Sequence, residues 1–113
     1  MDFLKNKKKL KSSIENIRTK YPNKIPAFVF RSKKDKTFED LECSKFLVPD
    51  NITLGQFIII IRKRLQLTSE TALFLFINNN LPCSSDTMSQ IYEKYKNKEG
   101  MLVMEYCGEN VFG

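Results

Sequence analysis

Residues 45–67, KFLVPDNITLGQFIIIIRKRLQL, constrain the fold more than any other stretch of the chain. They describe a short strand, a turn, and a helix whose start is marked twice. Thr53 and Gln56 make a capping box, in which the threonine hydroxyl accepts from the N3 amide while the glutamine reaches back to the cap amide. Ile52 and Phe57 stand at N′ and N4, the spacing of a hydrophobic staple. Leu54, Phe57, Ile58, Ile61 and Leu65 then recur at helical spacing and form one apolar stripe. Such a helix needs a sheet to lie against. Ile60 and Arg64 sit one turn apart on its flank. Two readings stay open for that pair: an anchor for a partner, or a core-edge isoleucine beside a solvated arginine.

The segments around this helix supply the sheet. Residues 1–20 read as one or two short amphipathic helices, with Leu4, Leu10, Ile14 and Ile17 close to one face and lysines between them. Ser12 or Ser13 could cap the later turn. A helix of this length does not stand alone and must rest on something apolar. Pro22 and Pro26 end it and impose extended shapes on the residues before them. Residues 27–31, AFVFR, read as a strand with both faces apolar. Ala27 and Val29 would face the helix over 53–67, and Phe28 and Phe30 the N-terminal helix. The charged segment 32–42 reads as a turn and the start of a second strand, completed by 43–48 and ended by Pro49. A hairpin is the economical connection. Residues 71–77, TALFLFI, read as a buried third strand. Asn78, Asn79 and Asn80 mark a turn. A short helix follows, started by Ser85 or Thr87, with Met88, Ile91, Tyr92 and Tyr95 on one side. Residues 101–107, MLVMEYC, give a fourth strand. There are no internal repeats. One long helix crossing a mixed four-strand sheet is an α+β roll, of which the ubiquitin-like β-grasp is the common example.

Composition narrows the function. At 113 residues the chain is one ordinary domain, and with 42% apolar residues it can bury a real, if small, core. No apolar run reaches the ~18 residues of a membrane span. The N-terminus is lysine-rich without an apolar region behind it, unlike a secretory signal. Cys43, Cys83 and Cys107 are odd in number and widely spaced, which fits neither a disulfide framework nor a zinc site. Buried free thiols in a reducing compartment are the expectation for all three. Eight Lys and Arg side chains fall in residues 1–24 against Asp2 and Glu15, so this arm carries the whole net charge of +6. It reads either as a contact for phosphates, acidic peptides or an anionic membrane, or as a solubilising arm.

Catalysis has little to work with. Histidine is absent, which removes the usual general base, the Ser–His and Cys–His dyads and the commonest metal ligand. The four glycines at 55, 100, 108 and 113 make no phosphate loop. The acidic residues form no paired-carboxylate pattern. An enzyme is not expected, nor a cofactor or a metal. The final Gly113 has chemistry of another kind. Its carboxylate has no side chain to block a narrow channel, and it can be adenylated and passed as an acyl group to a thiol or an amine. The chain would then be the substrate of acyl transfer. A terminal glycine alone says little; on a β-grasp with a short tail it says more.

Six ordered segments follow one family pattern at its spacing: IRTKYPNKIP at 17–26, KFLVP at 45–49, TLGQFIIIIRKRL at 53–65, LFLFINNNLP at 73–82, MSQIYEKYKNKEG at 88–100 and GENVFG at 108–113. The chain thereby closely resembles the autophagy-related protein 8 family, the ubiquitin-like modifiers that include light chain 3 and the GABA-receptor-associated protein. The resemblance implies a β-grasp with two added N-terminal helices. In residue ranges it implies a basic helical extension over 1–24, a β-grasp over 25–107 and a conjugation tail over 108–113.

It also implies a job: activation of Gly113 by a ubiquitin-activating-type enzyme, transfer through a conjugating enzyme to phosphatidylethanolamine on the autophagosome membrane, and recruitment of cargo receptors that carry an aromatic-x-x-aliphatic motif. The peptide would add a strand along 45–48. By position, the pocket for the aromatic anchor would use Ile17, Pro26, Phe28, Lys45, Leu47 and Met101. The pocket for the aliphatic anchor would use Phe46, Leu47, Ile52, Phe57, Ile60 and Arg64. Lys24, Lys45 and Arg64 would meet acidic residues flanking the motif, and Phe112 with Gly113 would be read by a processing or delipidating cysteine protease and by the conjugation enzymes. A second docking surface for helical motifs would fall on 74–77, which also reads as a core strand.

Three departures stand out. Ser13 replaces a common acidic residue, Met101 replaces a common phenylalanine and softens that pocket, and nothing follows Gly113, so a priming cleavage is not expected. The expected protein is a cytoplasmic monomer that reaches autophagosomes and vesicles after lipidation, with nucleic acid not among its partners. The alternative is a non-conjugated β-grasp module whose basic arm contacts RNA or an anionic membrane surface.

Overall fold

The computed structural model describes residues 6–41 and 44–108. Leu4, Cys43, Phe112 and Gly113 therefore lie outside the described residues. Helix α1 spans Lys7–Lys20, strand β1 Lys24–Arg31, strand β2 Lys45–Pro49, helix α2 Leu54–Arg64, strand β3 Phe74–Phe76, helix α3 Met88–Tyr95 and strand β4 Leu102–Cys107. The four strands form one mixed sheet in the order β2-β1-β4-β3. β1 pairs antiparallel with β2 and parallel with β4, and β3 pairs antiparallel with β4. This is the α+β, ubiquitin-like arrangement expected from the order of elements.

Strand β1 sets the two layers because its side chains alternate between two apolar faces. Ala27 and Val29 join Phe57 and Ile61 of α2 in the main core, with Leu102, Met104 and Tyr106 of β4. Phe28 packs on the other face with Ile14 of α1 and Met101, edged by Leu10, Phe30 and Val103. Both faces of the central strand are thus covered, each by the helix expected there.

Helix α2 starts as its sequence dictates. Gln56 N–H donates to Thr53 Oγ1 at 3.2 Å, and Thr53 N–H donates to Gln56 Oε1 at 2.9 Å. The same box opens α3, where Thr87 is the cap and Gln90 its partner. The first-turn amides that each helix leaves over go to the segment preceding the other. Leu54 and Gly55 donate to the carbonyls of Asp86 and Ser84, and Met88 and Ser89 donate to those of Ile52 and Asp50. The two helix starts therefore hold each other in place. Asn78 and Asn79 adopt positive φ, and the amides of Ile77 and Asn80 each donate to the other's carbonyl at 2.9 Å, a two-residue turn suited to asparagine.

Four expectations need correction. Helix α1 is capped by Asn6, whose side chain accepts from Lys9 N–H, so Ser12 and Ser13 are exposed mid-helix residues. No strand forms over 32–41. Lys34 N–H donates to Ser32 Oγ and Phe38 N–H to Asp35 Oδ2, and these local bonds take up amides that a ladder would need. The third strand shrinks to Phe74–Phe76 because Thr71 is held in a turn, its amide donating to Thr68 and its carbonyl accepting from Arg62. Cys83 is exposed, with Sγ 3.0 Å from Ser85 Oγ; Cys107 is buried as expected.

Candidate functional site

Helix α1 crosses its face of the sheet on Leu10, Ile14 and Ile17, one side chain per turn. It stops short of covering β2. The gap is a cavity of about 570 Å³ lined by Asn6, Lys9, Leu10, Ser13, Ile14 and Ile17 on the helix side. Pro26, Ala27, Lys45, Phe46, Leu47 and Met101 line the sheet side. Met101 and Pro26 are buried at the floor, while Leu47 keeps 43% of its surface exposed. Lys9 and Lys45 are the charged residues among the described ones that line the cavity.

Beside this cavity runs a sheet edge. β2 is an outer strand of the sheet, and no other described strand pairs with its outer side. An unpaired edge offers a row of amides and carbonyls to an added strand. On the other side of β2, Phe46 turns toward α2. Its ring meets Phe57 edge-on at 5.5 Å, and the Arg64 guanidinium stands 5.5 Å from the Phe46 centroid. Ile60 is exposed at 37%, and Ile52 packs half-buried against the core. Phe46, which also lines the cavity, is thus bounded by Arg64 on its α2 side.

The cavity brings together Ile17, Pro26, Lys45, Leu47 and Met101 of the six residues expected at the aromatic-anchor pocket. Phe28 lies beneath it, packed with Ile14 and Met101. Of the residues expected at the aliphatic-anchor pocket, Phe46 lines the cavity and also meets Phe57 and Arg64, whereas Leu47 lines the cavity. Phe57 is fully buried under Phe46 and acts as a support. Lys24 sits opposite Pro49 in the β1–β2 register, at the start of the inner strand β1. In the 74–77 segment, Leu75, Phe76 and Ile77 are almost fully buried, so these side chains are core. Asn6, Lys9 and Leu10 were not legible as cavity walls. The helical stripe shows which way α1 faces but not where along the sheet it lands. Ser13 and Met101, the two internal departures from the family pattern, both line the cavity.

The family described as autophagy protein Atg8, ubiquitin-like, matches residues 8–113, nearly the whole chain. The chain belongs to the Atg8 family. It is 44% identical to autophagy-related protein 8d of Arabidopsis thaliana over 105 residues, which cover 93% of this chain and 87% of that one. It is 44% identical to autophagy-related protein 8 of Mycosarcoma maydis over 106 residues, covering 93% and 88%. The crystal structure of Trypanosoma brucei ATG8 superimposes with a TM-score of 0.84 at 35% identity, over 90% of this chain and 87% of that one. As an Atg8-family member it is an autophagy-related, ubiquitin-like protein. No helix among the described residues is long and apolar enough to cross a membrane.

Proposed function

We propose that this chain is a ubiquitin-like modifier with two working ends. It docks short peptides at the α1–β2 cavity and is coupled through Gly113 to phosphatidylethanolamine. The observation that carries the reading is the apolar cavity beside the unpaired β2 edge. An extended peptide along that edge would place an aromatic side chain in the cavity, over Met101 and against Leu47 and Ile17. Three residues on, an aliphatic side chain would meet Phe46, Ile52, Ile60 and Arg64. Lys9, Lys24, Lys45 and Arg64 favour acidic residues around such a motif.

Coupling and docking fit one molecule because they use opposite ends of the β1–β4 pair. The cavity lies by Pro26 and Met101, at the strands' starts, and the C-terminal segment leaves from Gly108. Seven residues of extended chain separate Met101 from Gly108, about 20 Å. A protein coupled at its C-terminus would keep the cavity open. In this reading the chain is the substrate of an activating enzyme, a conjugating enzyme and a delipidating cysteine protease, and no catalyst itself. It moves from cytoplasm to autophagosomal and vesicle membranes on coupling.

Incubation with activating enzyme, conjugating enzyme, ATP and phosphatidylethanolamine liposomes should add the mass of the lipid to the protein. Gly113→Ala should stay unmodified, and a lipid adduct on that variant would sink the coupling proposal. For docking, Leu47→Ala should weaken an acidic-flanked aromatic-x-x-aliphatic peptide by at least ~1 kcal/mol, several-fold in Kd, by titration calorimetry. Equal affinity would remove Leu47 from the site.

A further inference from the structure

The segment between β1 and β2 does more than connect them. Residues 32–40 fold back over the end of β4 as a strap. Ser32 N–H donates to the Tyr106 carbonyl at 2.9 Å, the Tyr106 hydroxyl donates to the Glu39 carbonyl at 2.7 Å, and the Phe38 ring packs 6.3 Å from that of Tyr106. At the centre of the strap is Asp35, 6% exposed. Its Oδ2 accepts from Phe38 N–H at 2.9 Å, which shapes the strap itself. Its Oδ1 accepts from Gly108 N–H at 2.9 Å, across 73 residues of sequence. Thr37 closes the other side. A side-chain carbon at Gly108 would lie 2.7 Å from both Thr37 Cβ and Oγ1, closer than such atoms approach. Gly108 is thus bonded on one side and walled on the other, just past the end of β4.

We propose that Asp35 is a positioning residue for the coupling reaction: with Thr37 as its backstop, it latches the Gly108 amide and fixes the direction in which the C-terminal segment leaves β4. A buried carboxylate that accepts from several amides is a strong and directional holder. The second bond is not needed to shape the strap, since Phe38 and Ser32 already do that. It ties the strap to the tail base. A terminal glycine that must enter a narrow enzyme channel while the domain body is gripped gains from a fixed starting direction, because misplacement of the reacting end by even an ångström is costly. The inference rests on the coupling reading above.

The test follows two variants that break the latch differently. Asp35→Asn leaves one acceptor oxygen where the carboxylate offers two, one facing Phe38 and one facing Gly108. Gly108→Ala pushes the chain off Thr37, and Thr37→Gly in the same molecule removes that obstacle. Amide hydrogen exchange at position 108 should run about tenfold faster in Asp35→Asn, since a hydrogen bond to a charged group is lost. In ATP-dependent thioester formation with the activating enzyme, kcat/KM should fall about tenfold in Asp35→Asn and in Gly108→Ala. It should recover in Gly108→Ala/Thr37→Gly, which also shows that the loss is not general misfolding. Affinity for the peptide at the α1–β2 cavity should not change in any of them. Unchanged exchange at position 108 in Asp35→Asn overturns the latch. Fast exchange with wild-type kcat/KM overturns the positioning role alone. A wild-type protein that forms no thioester overturns the coupling reading, and the role with it.

Discussion

Asp35 carries opposing influences on its charge. Burial raises its pKa, but the amides of Gly108, Phe38 and Thr37 and the Cys107 thiol lower it further, so the carboxyl sits below its ordinary 3.8. Lys34 and Lys36 flank the same small cavity as Asp35 and Cys107. A carboxyl with a depressed folded pKa contributes stability above its unfolded value and loses it as pH falls through the folded one. The gap in Tm between wild type and Asp35→Asn should therefore be widest near neutrality and shrink as the pH is taken below 3.8; a gap independent of pH would contradict the assignment of the charge. The cysteines divide as sharply. The Ser85 hydroxyl lowers the pKa of the exposed Cys83 thiol, while Cys107 is 1% exposed. Iodoacetamide should label Cys83 in the native protein and reach Cys107 only after denaturation, as read by peptide mass mapping. Equal labelling rates would contradict the burial of Cys107. Burial was expected of both thiols and holds for Cys107; Cys83 departs from it, on the polar segment Cys83–Ser84–Ser85–Asp86.

At the scale of elements, what could be read was what is local. The start of α2 is decided by Thr53 and Gln56 within four residues, and α3 by Thr87 and Gln90 in the same way. Thr53→Ala should cost about 1 kcal/mol of stability in urea unfolding, and Phe57→Ala, which empties the support under Phe46, about 3–5 kcal/mol. The split of β1 into two faces was equally legible, since alternation in AFVFR reports both. The strap over 32–40 was not. Its residues have no strand or helix period, and the side chains of Ser32 and Asp35 settle its shape by bonding the backbone. Asp35 and Gly108 are too far apart in sequence for spacing to connect them. Through the family resemblance the sequence pointed to the sheet side of the α1–β2 cavity, where Pro26, Lys45 and Leu47 lie on neighbouring strands. Its helix side depended on where α1 lands, which periodicity does not give.

The described residues form a sheet with two apolar faces, whose β2 margin lies beside the gap left by α1. α2 and α3 close the main core, α1 covers the other face incompletely, and β2 is left with a free edge beside the gap. Incomplete cover is what turns a structural helix into one wall of a cavity. Pro26 and Met101 of the cavity lie at the starts of β1 and β4, and Gly108 follows the end of β4, so the proposed docking and coupling would use opposite ends of these strands. That two-ended account has one direct measurement. The protein is coupled to phosphatidylethanolamine liposomes with its enzymes and ATP, mixed with a labelled acidic-flanked aromatic-x-x-aliphatic peptide, and floated through a density gradient. Wild type should carry the peptide to the liposome fraction. Gly113→Ala should leave protein and peptide at the bottom, and Leu47→Ala should float while leaving the peptide behind. Peptide that rises equally with either variant would contradict the account.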